Sequence, residues 1–318
     1  MSGLDGVILF VHTDRKAQRQ VGRVLATSLR PVVTADTVDE ALDHLDQPTA
    51  LVIASAELAQ GPRYAALRRE ADAAGAVNLV LGEGTPADLL PIVSAHRLCH
   101  LAAADPVALV DELPTTVQKL LRGDVFGLEK YLTWSAEIGS TEIGSTSDRR
   151  RALLDLKEAI EPLGLSPRHE RQAALIADEL LSNAIHNAPV DAAGHFYLRD
   201  EPRDTHRPLS GPERPTLRWG CDGRYLAVEV TDQWGSIDAE IVRQHIGKLT
   251  DRVGGPRTGG GGAGLGLAMA FQAASALIFN LAPRRLTQAL ALLDVRARLD
   301  GPRALTPSFH LFYEGDQA

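Results

Sequence analysis

The sequence predicts an α/β protein of two domains, the first of them a doubly wound sheet of five parallel strands. The chain has 318 residues, and a domain takes about 150 residues, so two domains are expected. Hydrophobic residues make up 44% of the chain and charged residues 23%, a globular composition that excludes a wholly disordered chain. Short apolar runs alternate with amphipathic stretches over residues 7–122, the pattern of a parallel sheet covered by helices.

Five apolar runs of buried-strand length predict the strands of the first domain. They are Val7–Val11, Val32–Thr34, Ala50–Ala54, Val77–Leu81 and Arg97–Leu101. Apolar residues recur at helical spacing between Asp14 and Leu29, which predicts a helix after the first strand. Thr37, followed three residues later by Glu40, forms a capping box that opens the next helix. Pro106–Leu121 is expected to be the last helix of this domain.

Composition and charge exclude several functional classes. Lys and Arg total 33 against 41 Asp and Glu, and the net charge of −8 argues against nucleic-acid binding through bulk phosphate attraction. Cys99 and Cys221 are too few for a disulfide framework or a four-thiolate zinc site. The apolar run Val7–Val11 lacks the features of a signal peptide, and polar residues interrupt the longer run Gly264–Ala282. We therefore expect a cytoplasmic protein with no membrane segment.

The predicted strands end in residues that differ from those of the fold they resemble. The element order resembles the receiver domain of bacterial response regulators over roughly the first 120 residues. A working receiver has an Asp at the end of its third strand to accept phosphate and a Lys after its fifth. Here the third strand runs into Ser55, and Ala102–Ala104 follow the fifth. Asp14, after the first strand, is expected to cap a helix rather than hold a metal. We therefore expect a pseudo-receiver, a docking surface that aspartyl phosphate cannot switch.

Residues 125–147 are expected to connect the two domains. Phe126–Trp134 is rich in aromatic and large apolar residues, at a spacing that predicts a helix packed between domains. A tandem Glu-Ile-Gly-Ser-Thr repeat begins at Glu137 and again at Glu142, and its composition marks a linker or an edge strand. The expected boundaries are residues 1–124 for the pseudo-receiver and 148–318 for the second domain, whose first strand could begin at residue 133.

The helix expected after Pro167 carries three polar residues on one face. Glu179, Asn183 and Asn187 are spaced by four, which places them in one stripe along the helix. A carboxylate and two amides in a stripe could bind a ligand or simply face solvent, and the helix alone leaves both interpretations open.

A hairpin and a glycine-rich segment follow this helix. The predicted strands Thr216–Trp219 and Tyr225–Thr231 lead to Asp232, where a carboxylate can face the edge of a purine. Gly259–Leu267 precedes a predicted apolar helix, Ala268–Leu277, and its glycines let backbone N–H groups approach phosphate oxygens. A dinucleotide-binding fingerprint and a Walker A loop are both excluded, because no strand precedes the glycines and no Gly-Lys-Ser/Thr follows them.

Together these three segments resemble the GHKL ATPase superfamily, which includes gyrase, heat-shock chaperones and histidine kinases. Glu179–Ala184 is similar to the N box of the superfamily, Asp232–Ile237 to its first glycine box and Gly262–Leu267 to its second. Three motifs in the family's order are far more specific than any one of them. The resemblance covers roughly residues 133–315 and implies an α/β sandwich of GHKL type, with helices on one face of a mixed sheet.

The resemblance also implies roles for individual residues. Asn183 would bind Mg²⁺, and Glu179 would position or activate water or an acceptor hydroxyl. Asp232 would accept a hydrogen bond from the adenine amino group, and residues 238–258 would form the lid over ATP. The other residues implied in nucleotide binding are Asn187, Gly235, Ile237, Gly262, Gly264, Leu265, Gly266 and Leu267. The implied cofactors are ATP and Mg²⁺.

Within the superfamily, the second domain looks most like the anti-sigma-factor serine kinases, because a Ser/Thr-rich strand and a helix around Arg149–Leu163 precede the N box. Asn187 stands where the family often has a basic residue or His, and Pro189–Pro215 is a long Pro-rich insertion. We expect a bacterial signal-transduction protein that binds Mg·ATP and docks a protein partner through either domain. If it is catalytic, phosphate would pass to a Ser or Thr of that partner; the alternative is a non-catalytic, ATP-gated interaction module or scaffold. A homodimer is compatible with both, and neither nucleic acid nor a membrane is an expected partner.

Overall fold

The structure is a computed structural model that describes residues 5–199, 201–202, 205–251, 265–296 and 306–315. It has an α/β fold, and its residues group into two compact units. The described part of the first unit is residues 5–125, 249–251 and 306–315. The described part of the second lies within residues 126–248 and 265–296.

The helices and strands of the described residues are numbered in chain order. The strands are β1 (Val7–Val11), β2 (Val32–Ala35), β3 (Thr49–Ser55), β4 (Val77–Gly82), β5 (His100–Ala103), β6 (Ile138–Glu142), β7 (Thr216–Cys221), β8 (Tyr225–Asp232), β9 (Ala276–Ala282), β10 (Leu286–Asp294) and β11 (Ser308–Tyr313). The helices are α1 (Arg15–Leu25), α2 (Val38–Asp43), α3 (Ala56–Ala59), α4 (Tyr64–Ala73), α5 (Pro86–Ala95), α6 (Pro106–Asp111), α7 (Leu113–Arg122), α8 (Asp148–Ile160), α9 (Pro167–Ser182), α10 (Ala239–Asp251) and α11 (Leu265–Ala273).

The five parallel strands predicted for the first unit are confirmed. They lie in the order β2-β1-β3-β4-β5, with Leu9 of β1 between Val33 of β2 and Val52 of β3. This is the flavodoxin-like doubly wound order, in which the winding reverses between β1 and β3. Every residue of β3 and β4 is buried, as in parallel sheets that helices cover on both faces.

A further strand of the first unit comes from the end of the chain, beyond the expected boundary at residue 124. β11 runs antiparallel to β5 and places His310 opposite His100. The hydroxyl of Ser308 accepts a hydrogen bond from the backbone N–H of Ala103 at 3.1 Å and donates one to Glu112 at 2.9 Å. The segment 148–318 is therefore divided between the two units, because its last described strand pairs in the first.

Three boundaries in the first unit differ from the prediction for local reasons. β5 begins later than expected because Arg97 adopts a left-handed φ of +47° in the turn after α5. The single helix predicted over Pro106–Leu121 is two helices, α6 and α7, and Pro114 lies in the first turn of α7, where its missing N–H is tolerated. Leu29 was expected on an apolar helix stripe, but it has a φ of +61° and is 88% exposed.

The second unit is built on an antiparallel sheet in the order β9-β10-β8-β7-β6. Val230 of β8, for example, lies opposite Ala289 on one side and Leu217 on the other. Every described pair in this sheet is antiparallel, which differs from the mixed sheet that the resemblance implied. α9 contacts β8 and β10, and α8 and α11 pack against α9 to complete a helical layer.

The connection between the units contains less helix than predicted. The prediction of a helix over Phe126–Trp134 is wrong, because only the 3₁₀ segment Leu128–Tyr131 forms there. Trp134 is 99% exposed. The first copy of the tandem repeat forms β6, which pairs with β7 at the end of the sheet, as the edge-strand interpretation predicted.

The apolar run before Pro283 contains both a helix and a strand. The predicted helix Ala268–Leu277 is wrong at both ends: α11 begins at Leu265, and β9 begins at Ala276. Every residue of β9 is buried, and periodicity does not separate a buried strand from a buried helix.

Candidate functional site

The helix α9 delivers the N-box residues and ends in a widened turn. Ser166 caps its first turn, accepting a hydrogen bond from the backbone N–H of His169 at 3.2 Å. Residues Asn183–Asn187 continue the helix as a π-turn, in which the N–H of Ala188 donates to the carbonyl of Asn183 at 2.9 Å. Widened turns of this kind are frequent at functional sites.

The polar stripe on this helix is a hydrogen-bonded chain. The Asn183 amide donates to Glu179 Oε1 at 2.9 Å, and the Asn187 amide donates to Asn183 Oδ1 at 2.7 Å. All three side chains are half-buried. The predicted alignment of Glu179, Asn183 and Asn187 on one face is therefore present, and hydrogen bonds order the side chains instead of leaving them spread in solvent.

The glycine-rich segment reaches the same place through α11. Gly266 lies so close to Glu179 that a Cβ atom added there would meet the Glu179 carboxylate and displace it. Gln172 of α9 donates to the carbonyl of Ala273 at 3.0 Å, which ties the two helices together. Of the neighbouring predicted residues, Leu265 is half-buried and Leu267 is buried. Gly262 and Gly264 lie outside the described residues, as does the lid segment beyond Asp251.

Asp232 ends β8 with a buried carboxylate that is 6% exposed. Burial raises the pKa of Asp232 to about 7, although the backbone N–H groups of Trp234 and Gly235 lower it in part. The Trp234 N–H donates to Asp232 Oδ1 at 3.0 Å. A buried carboxylate of this kind has a strong requirement for a hydrogen-bond donor.

The loop after Asp232 is fixed next to the end of α9. Gly235 has a φ of +56°, and a Cβ atom there would collide with the backbone of the β9–β10 turn. Ser236 Oγ donates to the carbonyl of Ala188 at 2.7 Å, and Ile237 is half-buried. The π-turn also contacts β8. The structure thus gathers Asp232 and the stripe ending at Asn187 into one region of the second unit.

Two aromatic residues beside Asp232 were not among the predicted site residues. Trp234 lies two positions after Asp232, and its ring meets Tyr197 edge-on, with centroids 6.1 Å apart and planes at 76°. Tyr197 comes from the Pro-rich insertion. Trp234 could have been found from its place within the first glycine box, but no sequence signal links it to Tyr197.

The first unit has a cavity of about 410 Å³ at the carboxyl ends of its strands. Its walls include the carboxylates of Asp14, Glu57 and Glu83, but no Lys or Arg. Ser55 and Ala104 also line it, at the ends of the third and fifth strands. Among the described residues, three carboxylates line the cavity against one basic side chain, that of His12, and this balance disfavours a phosphate group.

The predicted cap role of Asp14 is confirmed. Its carboxylate accepts hydrogen bonds from the backbone N–H groups of Lys16 at 2.8 Å and Ala17 at 3.4 Å. These bonds, that of Lys16 first, lower the pKa of Asp14. Both oxygens therefore serve the start of α1.

No protein-family model matches the chain, and no curated protein does. Similar solved structures include a CheY-like response-regulator receiver domain from Methanospirillum hungatei, 17% identical, which covers 36% of this chain and 91% of that one with a TM-score of 0.30. A receiver domain from Clostridium thermocellum is 13% identical and covers 37% and 94%, with a TM-score of 0.31. A de novo designed Rossmann protein is 15% identical and covers 36% and 91%, with a TM-score of 0.31. At TM-scores this low, the likenesses carry no functional argument.

Within the ranges that the structure describes, no helix combines the length and the apolar character needed to cross a bilayer.

Proposed function

We propose that the second unit is a GHKL-type domain that binds Mg·ATP, and that the chain is a signal-transduction protein of the bacterial cytoplasm. The observation that carries this proposal is the convergence of three separated segments. Hydrogen bonds link the side chains of Glu179, Asn183 and Asn187. Gly266 lies against Glu179, and the buried Asp232 lies at the end of β8.

Each group has a matching part of the nucleotide. Asn183 would contribute one oxygen to Mg²⁺, which usually keeps one or two protein ligands and otherwise binds water and substrate phosphates. The buried carboxylate of Asp232 would accept from the amino group of adenine, in addition to the backbone N–H groups of Trp234 and Gly235. Gly266 lies in the first turn of α11, whose N-terminal end favours phosphate oxygens.

Calorimetric titration with Mg·ATP tests this proposal. The wild-type chain should bind, and Asp232→Asn should weaken binding at least tenfold, because an amide in its place offers the nucleotide a weaker acceptor than a carboxylate. Asp178→Asn is a matched control: Asp178 precedes Glu179 on α9 but pairs with Arg149 at 2.9 Å. Absence of Mg·ATP binding by the wild type would refute the proposal.

Phosphoryl transfer to a Ser or Thr of a partner protein is the catalytic form of this function. Glu179 would then orient the acceptor hydroxyl and take its proton, while Mg²⁺ neutralises the developing charge. Glu179→Gln should bind Mg·ATP within a few-fold of wild type but lose transfer or hydrolysis, measured in a single turnover as formation of ADP, the leaving group of both reactions.

A non-catalytic module, in which nucleotide occupancy controls partner binding, is the second candidate. The hydrogen bond from Asn183 to Glu179 favours it, because that bond occupies one carboxylate oxygen. In this case the wild type and Glu179→Gln would bind Mg·ATP and leave it equally intact. For the kinase and for the non-catalytic module alike, the first unit would serve as a docking surface for the partner. A homodimer is compatible with either function.

A further inference from the structure

Trp234 is held at the side of the buried Asp232 carboxylate. Its backbone N–H donates to Asp232 Oδ1 at 3.0 Å, which fixes the backbone of Trp234 next to the carboxylate that would bind the base. The residue is half-buried, and the edge-on contact with Tyr197 orients its ring. The tight turn at Gly235 and the hydrogen bond from Ser236 to the Ala188 carbonyl fix the loop that follows Trp234.

Tyr197 is itself held by charged neighbours within the insertion. Its hydroxyl donates to Glu213 Oε1 at 2.8 Å, and Arg207 pairs with the same oxygen at 2.6 Å. The Arg207 guanidinium lies 5.6 Å from the centroid of the Tyr197 ring. Burial and Glu213 raise the pKa of Tyr197 to about 12, so the hydroxyl stays protonated and keeps donating.

The insertion is anchored to the second copy of the tandem repeat. The hydroxyl of Thr146 donates to the carbonyl of Thr205 at 2.6 Å and accepts from the N–H of Arg207 at 2.9 Å. The N–H of Leu209 donates to the carbonyl of Gly144 at 2.8 Å. These bonds place Arg207, and through it Glu213 and Tyr197, at a defined position.

We propose that Trp234 and Tyr197 form an aromatic wall that binds the planar base of the nucleotide beside Asp232, so that the Pro-rich insertion sets base affinity. This inference rests on the nucleotide site proposed for the second unit. Aromatic side chains bind the faces of nucleic-acid bases by stacking, because every base presents a π-face. The wall supplies affinity for a flat heterocycle, and the Asp232 carboxylate selects a base that presents an amino group.

Fluorescence and calorimetry on the full chain test the wall. The chain has three tryptophans, and Mg·ATP should change the emission of the wild type and of Trp134→Phe but not that of Trp234→Phe. Trp234→Ala should raise the Kd for Mg·ATP roughly tenfold, while Trp234→Phe, which keeps a ring, should stay within about threefold. Tyr197→Ala should weaken binding less than Trp234→Ala, because the main contribution of Tyr197 is to orient the Trp234 ring.

A probe without a base separates the wall from the rest of the site. Magnesium tripolyphosphate should bind the wild type and Trp234→Ala equally. Thermal melting of each variant shows whether the fold is retained, and Trp134→Phe is the matched control because Trp134 is 99% exposed. If the wild type binds Mg·ATP and Trp234→Ala binds it equally well, the wall is refuted while the nucleotide site stands. If the wild type does not bind Mg·ATP, both proposals fail.

Discussion

The two units each present carboxylates at the end of a sheet, but they use them differently. In the first unit Asp14 caps a helix, and no described Lys or Arg lines the cavity that it shares with Glu57 and Glu83. In the second unit the Glu179 carboxylate accepts a hydrogen bond from the Asn183 amide, and the Asp232 carboxylate is buried and has a raised pKa. An α/β fold therefore keeps its shape whether or not its polar groups are arranged for binding or catalysis, and function must be argued from the site.

Acid should destabilise the first unit most strongly. Burial, and then the charge of Lys119, lower the pKa of His100 to about 3, and burial also lowers that of His310. The unfolded chain protonates these imidazoles near pH 6.5 and the folded chain does not, so stability falls as the pH drops from 6.5 towards 3. The expected slope is about 1.4 kcal/mol per pH unit for each His.

Hydrogen exchange of the β5 amides between pH 7 and pH 5 measures this effect, after correction for the intrinsic exchange rate. His100→Phe should flatten the pH dependence of their opening free energy, whereas His195→Gln, at a side chain that is 80% exposed, should leave it unchanged. An unchanged slope in His100→Phe would show that the buried imidazoles do not control acid stability.

Asp232 should give the second unit the opposite response. Its folded pKa of about 7 lies above the ordinary Asp pKa of 3.8, so the folded state retains a proton that the unfolded chain releases. The stability from Asp232 is present at low pH and falls as the pH rises from about 4 to 7, by up to about 1.4 kcal/mol per pH unit. Urea denaturation of wild type and Asp232→Asn should differ in slope over this window, and parallel curves would contradict it.

Two glycine substitutions should shift stability in opposite directions. Gly235→Ala adds a methyl group that collides with the backbone of Ala282 and Arg284 at a φ of +56°, and should destabilise the second unit by roughly 1–3 kcal/mol. Gly22→Ala is the matched change in a helix of the first unit, where a Cβ atom meets nothing within 4 Å, and it should stabilise by about 0.5–1 kcal/mol. Urea midpoints measure both, and a neutral Gly235→Ala would mean that the glycine is not needed for this close approach.

Removal of a helix cap should have the smallest effect on the free energy of unfolding, and the effect should be equal in the two units. Thr37 caps α2 and Ser166 caps α9, each accepting a backbone N–H at 3.2 Å. Thr37→Ala and Ser166→Ala should each cost about 1 kcal/mol. Urea denaturation of each variant beside Thr37→Ser measures the loss, and a much larger cost at Ser166 would show that the second unit depends on this helix more than the first depends on α2.

Much of the first unit and part of the site could be predicted from local sequence. Buried strands such as Val7–Val11 are contiguous apolar runs, and caps such as Thr37 depend on neighbours three residues away. The stripe of Glu179, Asn183 and Asn187 follows from the helical repeat, so its alignment was predicted as well. The π-turn at Asn183–Asn187 was not, because one extra residue per turn leaves no local pattern.

By itself, the sequence determined the five strands of the doubly wound sheet, the missing receiver groups at Ser55 and Ala104, and the candidate set around Glu179 and Asp232. These depend on residues close in the chain or on motif order. Tertiary structure alone decided that β11 pairs with β5, that Trp234 meets Tyr197, and that burial raises the pKa of Asp232. The physical reason is that pairing between distant segments and desolvation depend on how the whole chain packs, and neither leaves a periodic signal in the residues that take part.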